Sequence, residues 1–382
     1  METNKRTPIS TLGEFGLIHH LTEGIQLENT SSKYGVGDDC AVLEYTNKQI
    51  LVTTDLLMEG VHFDLTYVPL KHLGYKAVMV NLSDIYAMNG TPRQVTVSLA
   101  ISKRFGVEDM EELYAGMRLA CEAHHVDIIG GDTTSSLTGL AISITAIGEA
   151  DKEKIAYRNG AHETDLICVS GNLGAAYMGL QLLEREKSVF MGESTVQPDF
   201  AGKEYLLERQ LKPEARGDII RALAEAGIQP TAMMDISDGL SSELMHICKQ
   251  SNTGCRVYEE HIPLDYQTAV MAEELNMNVT TCALNGGEDY ELLFTVPLAE
   301  YDKVSKLKDI RLIGHITKPE LGCMLITRDG GEMELKAQGW QALTEWSIRV
   351  RKRTKIGEPQ APRFFILYDN LRPKSDTYHT LR

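Results

Sequence analysis

Five short segments combine glycine, aspartate and hydroxyl side chains: Gly37-Asp38-Asp39, Thr53-Thr54-Asp55, Asn81-Leu82-Ser83-Asp84, Gly130-Gly131-Asp132-Thr133 and Asp235-Ile236-Ser237-Asp238-Gly239. Each alone reads as turn or helix-cap chemistry, because Asp and Ser bond to nearby backbone and Gly permits tight turns. Together they offer oxygen ligands without the His or Cys spacing of a zinc or copper site, which suits a hard divalent cation. Magnesium is held by one or two carboxylates plus phosphate and water, so scattered aspartates suit it in particular. An acidic pocket accepts a polyphosphate only if several cations stand between the two sets of negative charge. Asp84 is the sharpest case: it shares one face of a predicted helix with Ala77, Val80, Ala87 and Met88 and interrupts their apolar stripe. A buried carboxylate needs a partner, which is either a cation or a backbone hydrogen bond.

The common nucleotide-kinase signatures are absent. There is no G-x-x-x-x-G-K-[ST] run, and no kinase-type glycine-rich loop paired with an H-R-D segment. The turn Gly171-Asn172-Leu173-Gly174 opens a predicted helix and could hold phosphate, but ordinary strand-to-helix turns look the same, and that is the reading favoured here.

The elements that must position these residues alternate. A β-branched run over 49–54 ends at Asp55, and a helix is predicted over 71–88, stopped by Gly90-Thr91-Pro92. A strand over 94–101, a helix over 108–125, a short strand over 127–129 ending in Gly-Gly-Asp-Thr, and a strand over 140–147 follow. After a polar link over 149–164 a second unit opens with a strand over 165–170 and a helix from Gly174. It continues with helices over 218–226 and 237–249, a short strand before Asp235, and strands near Cys255, 290–296, 311–316 and 323–327. The domain boundary is expected at the link, giving 1–150 and 151–343. Residues 344–382 read as a basic extension through Arg349, Arg351, Lys352, Arg353 and Lys355.

A chain of 382 residues exceeds what one core usually holds, which agrees with two domains. The net charge of −16 argues against a nucleic-acid partner, since polyphosphate backbones select basic surfaces. No apolar run approaches the ~18 residues of a membrane span, and no signal-like segment opens the chain, so a cytoplasmic protein is expected. The seven cysteines (Cys40, Cys121, Cys168, Cys248, Cys255, Cys282 and Cys323) are scattered and read as reduced, mostly buried thiols, fitting neither a disulfide framework nor a zinc site.

Seven collinear motifs make a more specific pattern than any one: Gly-Val-Gly-Asp-Asp-Cys-Ala at 35–41, Thr-Thr-Asp at 53–55, Glu-Gly-Val-His-Phe at 59–63, Tyr-Lys-Ala-Val-Met-Val-Asn-Leu-Ser-Asp at 75–84, Ile-Gly-Gly-Asp-Thr at 129–133, Asp-Ile-Ser-Asp-Gly-Leu at 235–240 and Gly-Gly-Glu-Asp-Tyr-Glu-Leu at 286–292. In them the chain resembles the thiamine-monophosphate kinases, within the wider group related to aminoimidazole ribonucleotide synthetase, over roughly 13–343. The resemblance implies an α/β (α+β) fold of two domains that dimerises through its N-terminal sheet. It implies several magnesium ions, with ligands at Asp39, Thr53, Thr54, Asp55, Asp84, Asp132, Asp235 and Asp238. It implies ATP contacts at Gly131, Asp132, Arg158 and Ser237, and thiamine-monophosphate contacts at His62, Glu288 and an aromatic near the C terminus, here Trp340. No residue is implied as a general base. Without the resemblance, His62 and Trp340 would read as core residues. Other ATP-dependent members of the same group are the rival enzymes; the C-terminal cysteine expected of the hydrogenase-maturation member is not matched by Thr380-Leu381-Arg382. A non-catalytic nucleotide or divalent-ion sensor is the rival from another class.

Overall fold

The helical period over 71–88 and the β-branched run before Asp55 both become the elements they predict. The computed structural model describes residues 7–36, 41–192 and 200–338. Asp39, Trp340 and the extension 344–382 lie outside the described residues. In chain order the strands are β1 (Ser32–Tyr34), β2 (Val42–Leu43), β3 (Gln49–Met58), β4 (Thr91–Ser102), β5 (Asp127–Ser136), β6 (Leu140–Ala150), β7 (Leu166–Ser170), β8 (Ala232–Asp235), β9 (Gly254–Tyr258), β10 (Leu292–Val296), β11 (Ile310–Thr317), β12 (Cys323–Ile326) and β13 (Glu332–Glu334). The helices are α1 (Gly13–Thr22), α2 (Leu70–Ala87), α3 (Val107–His124), α4 (Ala175–Gly192), α5 (Glu204–Leu211), α6 (Gly217–Glu225), α7 (Leu240–Ser251), α8 (Tyr266–Glu274), α9 (Val279–Asn285) and α10 (Tyr301–Val304).

A four-stranded sheet runs in the order β3-β6-β4-β5, antiparallel except for the parallel β4/β5 pair. Side chains alternate across it, so Leu51, Thr53, Asp55 and Leu57 of β3 face α2, while Ile50, Val52, Thr54, Leu56 and Met58 face outward. The strand expected to stop at 129 continues to Ser136, because β4 supplies a parallel partner along its whole length. Gly131 is needed for that pairing: a Cβ there would stand 1.9 Å from the Val97 carbonyl oxygen.

Helix α2 is buried on nearly every side from Leu73 onward, packed against the sheet, against α3 and against β8 of the second sheet. Its crossing with α3 is set by two glycines. A Cβ on Gly74 would meet the Leu113 carbonyl oxygen at 1.9 Å, and one on Gly116 would meet the Lys71 carbonyl oxygen at 1.9 Å. Alanine is the better helix former by about 1 kcal/mol, yet Gly116→Ala should force the helices apart and destabilise the fold by about 1–3 kcal/mol. A lowered urea midpoint is expected; an unchanged or raised one would show that α2 and α3 have room to part.

The second sheet has seven strands in the order β13-β12-β9-β11-β7-β10-β8, with β12/β9 its parallel pair. Its central strands read as continuous apolar runs because both faces are covered. Leu293, Met234 and Val169 face one core, and Leu292, Phe294, Met233 and Cys168 face another. Helix α7 begins at Leu240 rather than at Ser237, since Gly239 at φ 123 lies outside helical geometry.

Candidate functional site

Because α2 is wedged between the sheets, its last turns bring Ser83 and Asp84 against β3 on one side and β8 on the other. The Thr53 hydroxyl donates to Asp84 Oδ2 at 2.5 Å, and the Ser83 hydroxyl donates to Asp235 Oδ2 at 2.6 Å. Asn81 fixes the register, accepting the Asp55 backbone N–H at 3.0 Å while donating to the Ala77 carbonyl at 3.0 Å. Three aspartates from three elements therefore face one another. Burial, reinforced by the Asp84 charge, pushes the Asp55 carboxyl up to about 6. Burial also raises Asp84, opposed by the Thr53 hydrogen bond and the Arg158 charge. Asp235, only 4% exposed, rises to about 7, through burial first and then the Asp84 charge, with Ser83 opposing.

Carboxyls that keep protons toward neutral pH because they are buried, two of them also because an acid stands beside them, constitute a demand for positive charge. Arg158, which is exposed, meets part of it. Among the described residues the aspartate oxygens do not form a ready-made cage within 4.8 Å of one another. A hard divalent cation that keeps waters and takes further oxygens from a phosphate fits such a set.

The second half of the site lies around Glu288. Its carboxylate takes the Lys76 ammonium at 3.0 Å on one oxygen and the Gln210 amide at 2.8 Å on the other. Lys76, 6% exposed, also donates to the Gln210 carbonyl at 3.1 Å. The half-buried His62 accepts the Met58 N–H on Nδ1 at 3.0 Å, which leaves its proton on Nε2. Burial lowers its proton affinity, the Glu288 charge opposes this and the Lys76 charge adds to it. A small cavity beside these groups is lined by His62, Tyr67, Lys76 and Gln210 together with apolar Leu57 and Phe63.

The two halves share a backbone. The Glu288 N–H donates to the Ser237 carbonyl at 2.7 Å, the Tyr290 N–H to the Ile236 carbonyl at 2.9 Å, and the Ile236 N–H to the Glu291 carbonyl at 2.8 Å. To make these bonds Gly287, Glu288 and Tyr290 all take left-handed φ values of 72, 58 and 52. For the last two that is a strained conformation held by its surroundings. Asp289 and Glu291 anchor the segment from below. Asp289, fully buried, accepts the Gly174 N–H at 2.7 Å at the start of α4, so the 171–174 turn is filled by a carboxylate of the chain itself. Glu291 takes Arg209 at 2.9 Å, a closer contact from Arg216, and the Ser170 hydroxyl.

Not every residue named from the sequence converges here. Strand pairing puts Asp132 opposite Ser98 and Ser98 opposite Ser143, which pairs with Leu56, so Asp132 and Thr54 lie on the outward face of the first sheet, away from Thr53 and Asp55. Thr54 there bonds to the Ile144 carbonyl at 3.0 Å. Asp238 and Ser237 are half-buried in the loop after β8, and Gly131 is exposed on β5. Three participants escape the sequence reading. Lys76 looks like a solvated helix residue until its partner, far along the chain, is known. Gln210 has no signal. Glu243 is 1% exposed and accepts the Asp238 N–H at 3.1 Å; burial pushes its carboxyl up to about 8. Among the described residues the cysteines are free and mostly buried thiols, as expected, and three that are far apart in sequence meet, as described below.

Residues 37–150 match the family model described as AIR synthase related protein, N-terminal domain. The chain is 34% identical over 333 residues to the thiamine-monophosphate kinase of Aquifex aeolicus (strain VF5), spanning 87% of this chain and 99% of that one. It is 33% identical over 337 residues to that of Bacillus subtilis (strain 168), spanning 86% and 99%. Among solved structures it is similar to AaThiL complexed with AMPPCP and TMP, at 34% identity and a TM-score of 0.67, covering 89% of this chain and 99% of that one. It is also similar to the hydrogenase maturation protein HypE in complex with ATP, at 20% identity and a TM-score of 0.68 over 85% and 96%, a likeness of fold alone. With a third of its residues shared along nearly the full length of such relatives, the chain belongs to the thiamine-monophosphate kinase family.

Proposed function

We propose that the chain transfers the γ-phosphoryl group of ATP to the phosphate of thiamine monophosphate, giving thiamine diphosphate and ADP. The observation that carries this reading is the join between the crowded aspartates and the Lys76–Glu288 pair through the bonded loops at 235–239 and 286–291. The relatives named as thiamine-monophosphate kinases, and the AaThiL complex with an ATP analogue and TMP, support it. The acceptor carries a thiazolium cation and a phosphate, and Glu288 and Lys76 offer one charge for each. The His62 Nε2–H is a donor for that substrate and not a base. None is needed, since a phosphate monoester with a second pKa of ~6 is already largely an anionic nucleophile at neutral pH.

Asp39, Thr53, Thr54, Asp55, Asp84, Asp132, Asp235 and Asp238 are the proposed magnesium ligands, and Gly131, Asp132, Arg158 and Ser237 the proposed ATP contacts. His62, Glu288 and Trp340 are proposed for the acceptor. Magnesium bound at the aspartates would neutralise charge between the two sets of phosphates. The protein's part is then positioning, with Asn81 and the bonded loops holding the carboxylates and the acceptor in line. We further propose a division into 1–150 and 151–343 with 344–382 as an appended segment, a cytoplasmic reaction, and a homodimer joined through the outer face of the first sheet. Exposed Ile50, Val52, Leu56 and Met58 give that face its apolar character, and Thr54 and Asp132 would then lie at the junction of the two copies.

Release of ADP should require thiamine monophosphate and fail with thiamine or with aminoimidazole precursors. With a chirally labelled γ-phosphoryl group, one in-line displacement should invert configuration at phosphorus, and no labelled protein should accumulate with ATP alone. Retention of configuration would mean a covalent intermediate and overturn the direct transfer.

A further inference from the structure

Cys248, Cys255 and Cys323 come from three elements: the last turn of α7, the start of β9 and the start of β12. Their sulfur atoms all lie within 4.8 Å of one another, and among the described residues no other group of three or more His, Cys, Asp or Glu side chains meets as closely. The fold makes this meeting in two steps. β9 and β12 are parallel neighbours with Cys255 directly opposite Cys323. Helix α7 ends in a left-handed turn at Asn252, where the Thr253 N–H returns to the Cys248 carbonyl at 2.9 Å, and the chain then enters β9 with Cys248 beside Cys255. All three are free thiols; Cys248 and Cys255 are buried, and Cys323 is half-buried.

Packing alone asks only that each sulfur touch carbon, and the surrounding core of Ile247, Val257, Ile316 and Leu325 would supply that. Instead the three sulfurs converge on one another, drawn together from a helix and two strands. Arg256 follows Cys255 on β9 and leaves from the opposite face of the strand. The Arg256 guanidinium donates to the Cys255 carbonyl at 3.2 Å and to the Leu321 carbonyl at 2.9 Å, and it pairs with Glu332 at 3.5 Å.

We propose that Cys248, Cys255 and Cys323 form a three-sulfur site for one thiophilic d10 cation, with copper(I) preferred over zinc(II). Among the described residues no imidazole or carboxylate completes a tetrahedron with the three sulfurs, which leaves them one ligand short of a structural zinc site. Soft thiolates with low coordination number suit copper(I). Ligation displaces the protons the thiols hold. The bound ion would tie the far end of α7 to two strands of the sheet. The site stands apart from the phosphoryl-transfer reading and does not depend on it.

The test uses the full chain, reduced, metal-free and handled without oxygen, titrated with copper(I) against a competing chelator. One copper per chain is expected, with a thiolate-to-copper absorption band in the ultraviolet. Cys323→Ser should weaken retention by more than about 100-fold, beyond the loss typical of an outer-shell partner, whereas Cys121→Ser, a buried thiol elsewhere, should leave it unchanged. If Cys323→Ser does not fold, X-ray absorption at the copper edge of the wild-type complex decides: three sulfur neighbours support the site, and nitrogen or oxygen neighbours overturn it. No uptake against the chelator, equal uptake by Cys323→Ser, or a disulfide within the trio in place of metal binding would also overturn it.

Discussion

Asp84→Asn should lose turnover by about 10²- to 10³-fold or more while the protein melts no lower than wild type. The amide fills the same space, and its oxygen can still accept the Thr53 hydroxyl, so the packing between α2 and β3 is kept. What goes is a negative charge that raises the proton affinity of both Asp55 and Asp235. Removing it relieves repulsion in the resting protein, so stability should hold or rise. Catalysis suffers for the same reason: charge that is costly at rest is what binds and orients cations against the transferring phosphoryl group, and removing one such preorganised group typically costs rates of this order. Chelation of divalent ions should act on the wild type in the same direction. The measurement is kcat and KM at saturating magnesium beside a thermal melt. Near-wild-type kcat would remove Asp84 from the centre of the site, and a large drop in melting temperature would recast it as a structural residue.

Glu291→Ala should be the most damaging single change to the fold, at about 3–5 kcal/mol, because it strands buried cations. The carboxylate is 1% exposed and neutralises Arg209 and Arg216, whose side chains are 15% and 11% exposed. Arg216 keeps Asp218 at 2.9 Å, but Arg209 is left with Asp289 at 3.8 Å. Against a total stability of about 5–15 kcal/mol for an ordinary domain, that loss is large. It should appear as a lower urea midpoint with little change in slope. Glu291→Gln, which keeps the shape and the bond from Ser170, should lose less. A loss for Glu291→Ala under about 1 kcal/mol would show that water reaches the guanidinium groups.

Where the sequence could be read, the signal was local. The helix predicted over 71–88 spans Leu70–Ala87, and the one predicted over 108–125 spans Val107–His124, because apolar period and breakers are written within each segment. Asp84 could be singled out for the same reason, as a charge out of place on its own helix. What escaped needed partners from elsewhere. The strand through Gly130-Gly131-Asp132 runs on to Ser136 because of β4, not because of its own residues. Lys76 meets Glu288, and Asp289 meets the start of α4, only after the second sheet is assembled. The sheet faces that separate Thr53 from Thr54 could be counted from the pleat, but which face meets α2 could not. Cysteine spacing gave no hint of the trio, since a parallel strand pairing brings Cys255 to Cys323.

The bonded loops at 235–239 and 286–291 also limit how this site can change over evolutionary time. Each loop closes the other's backbone hydrogen bonds, and Glu288 and Tyr290 hold left-handed geometry to do so. An inserted or deleted residue in either loop would slip those bonds and swing Glu288 away from Lys76. New acceptors are therefore accessible by exchanging side chains around the pocket, at His62, Tyr67, Lys76 and Gln210, and closed to the loop-length variation by which many enzymes diversify. Any search for altered specificity belongs at those four positions, with the two loops kept at their present lengths.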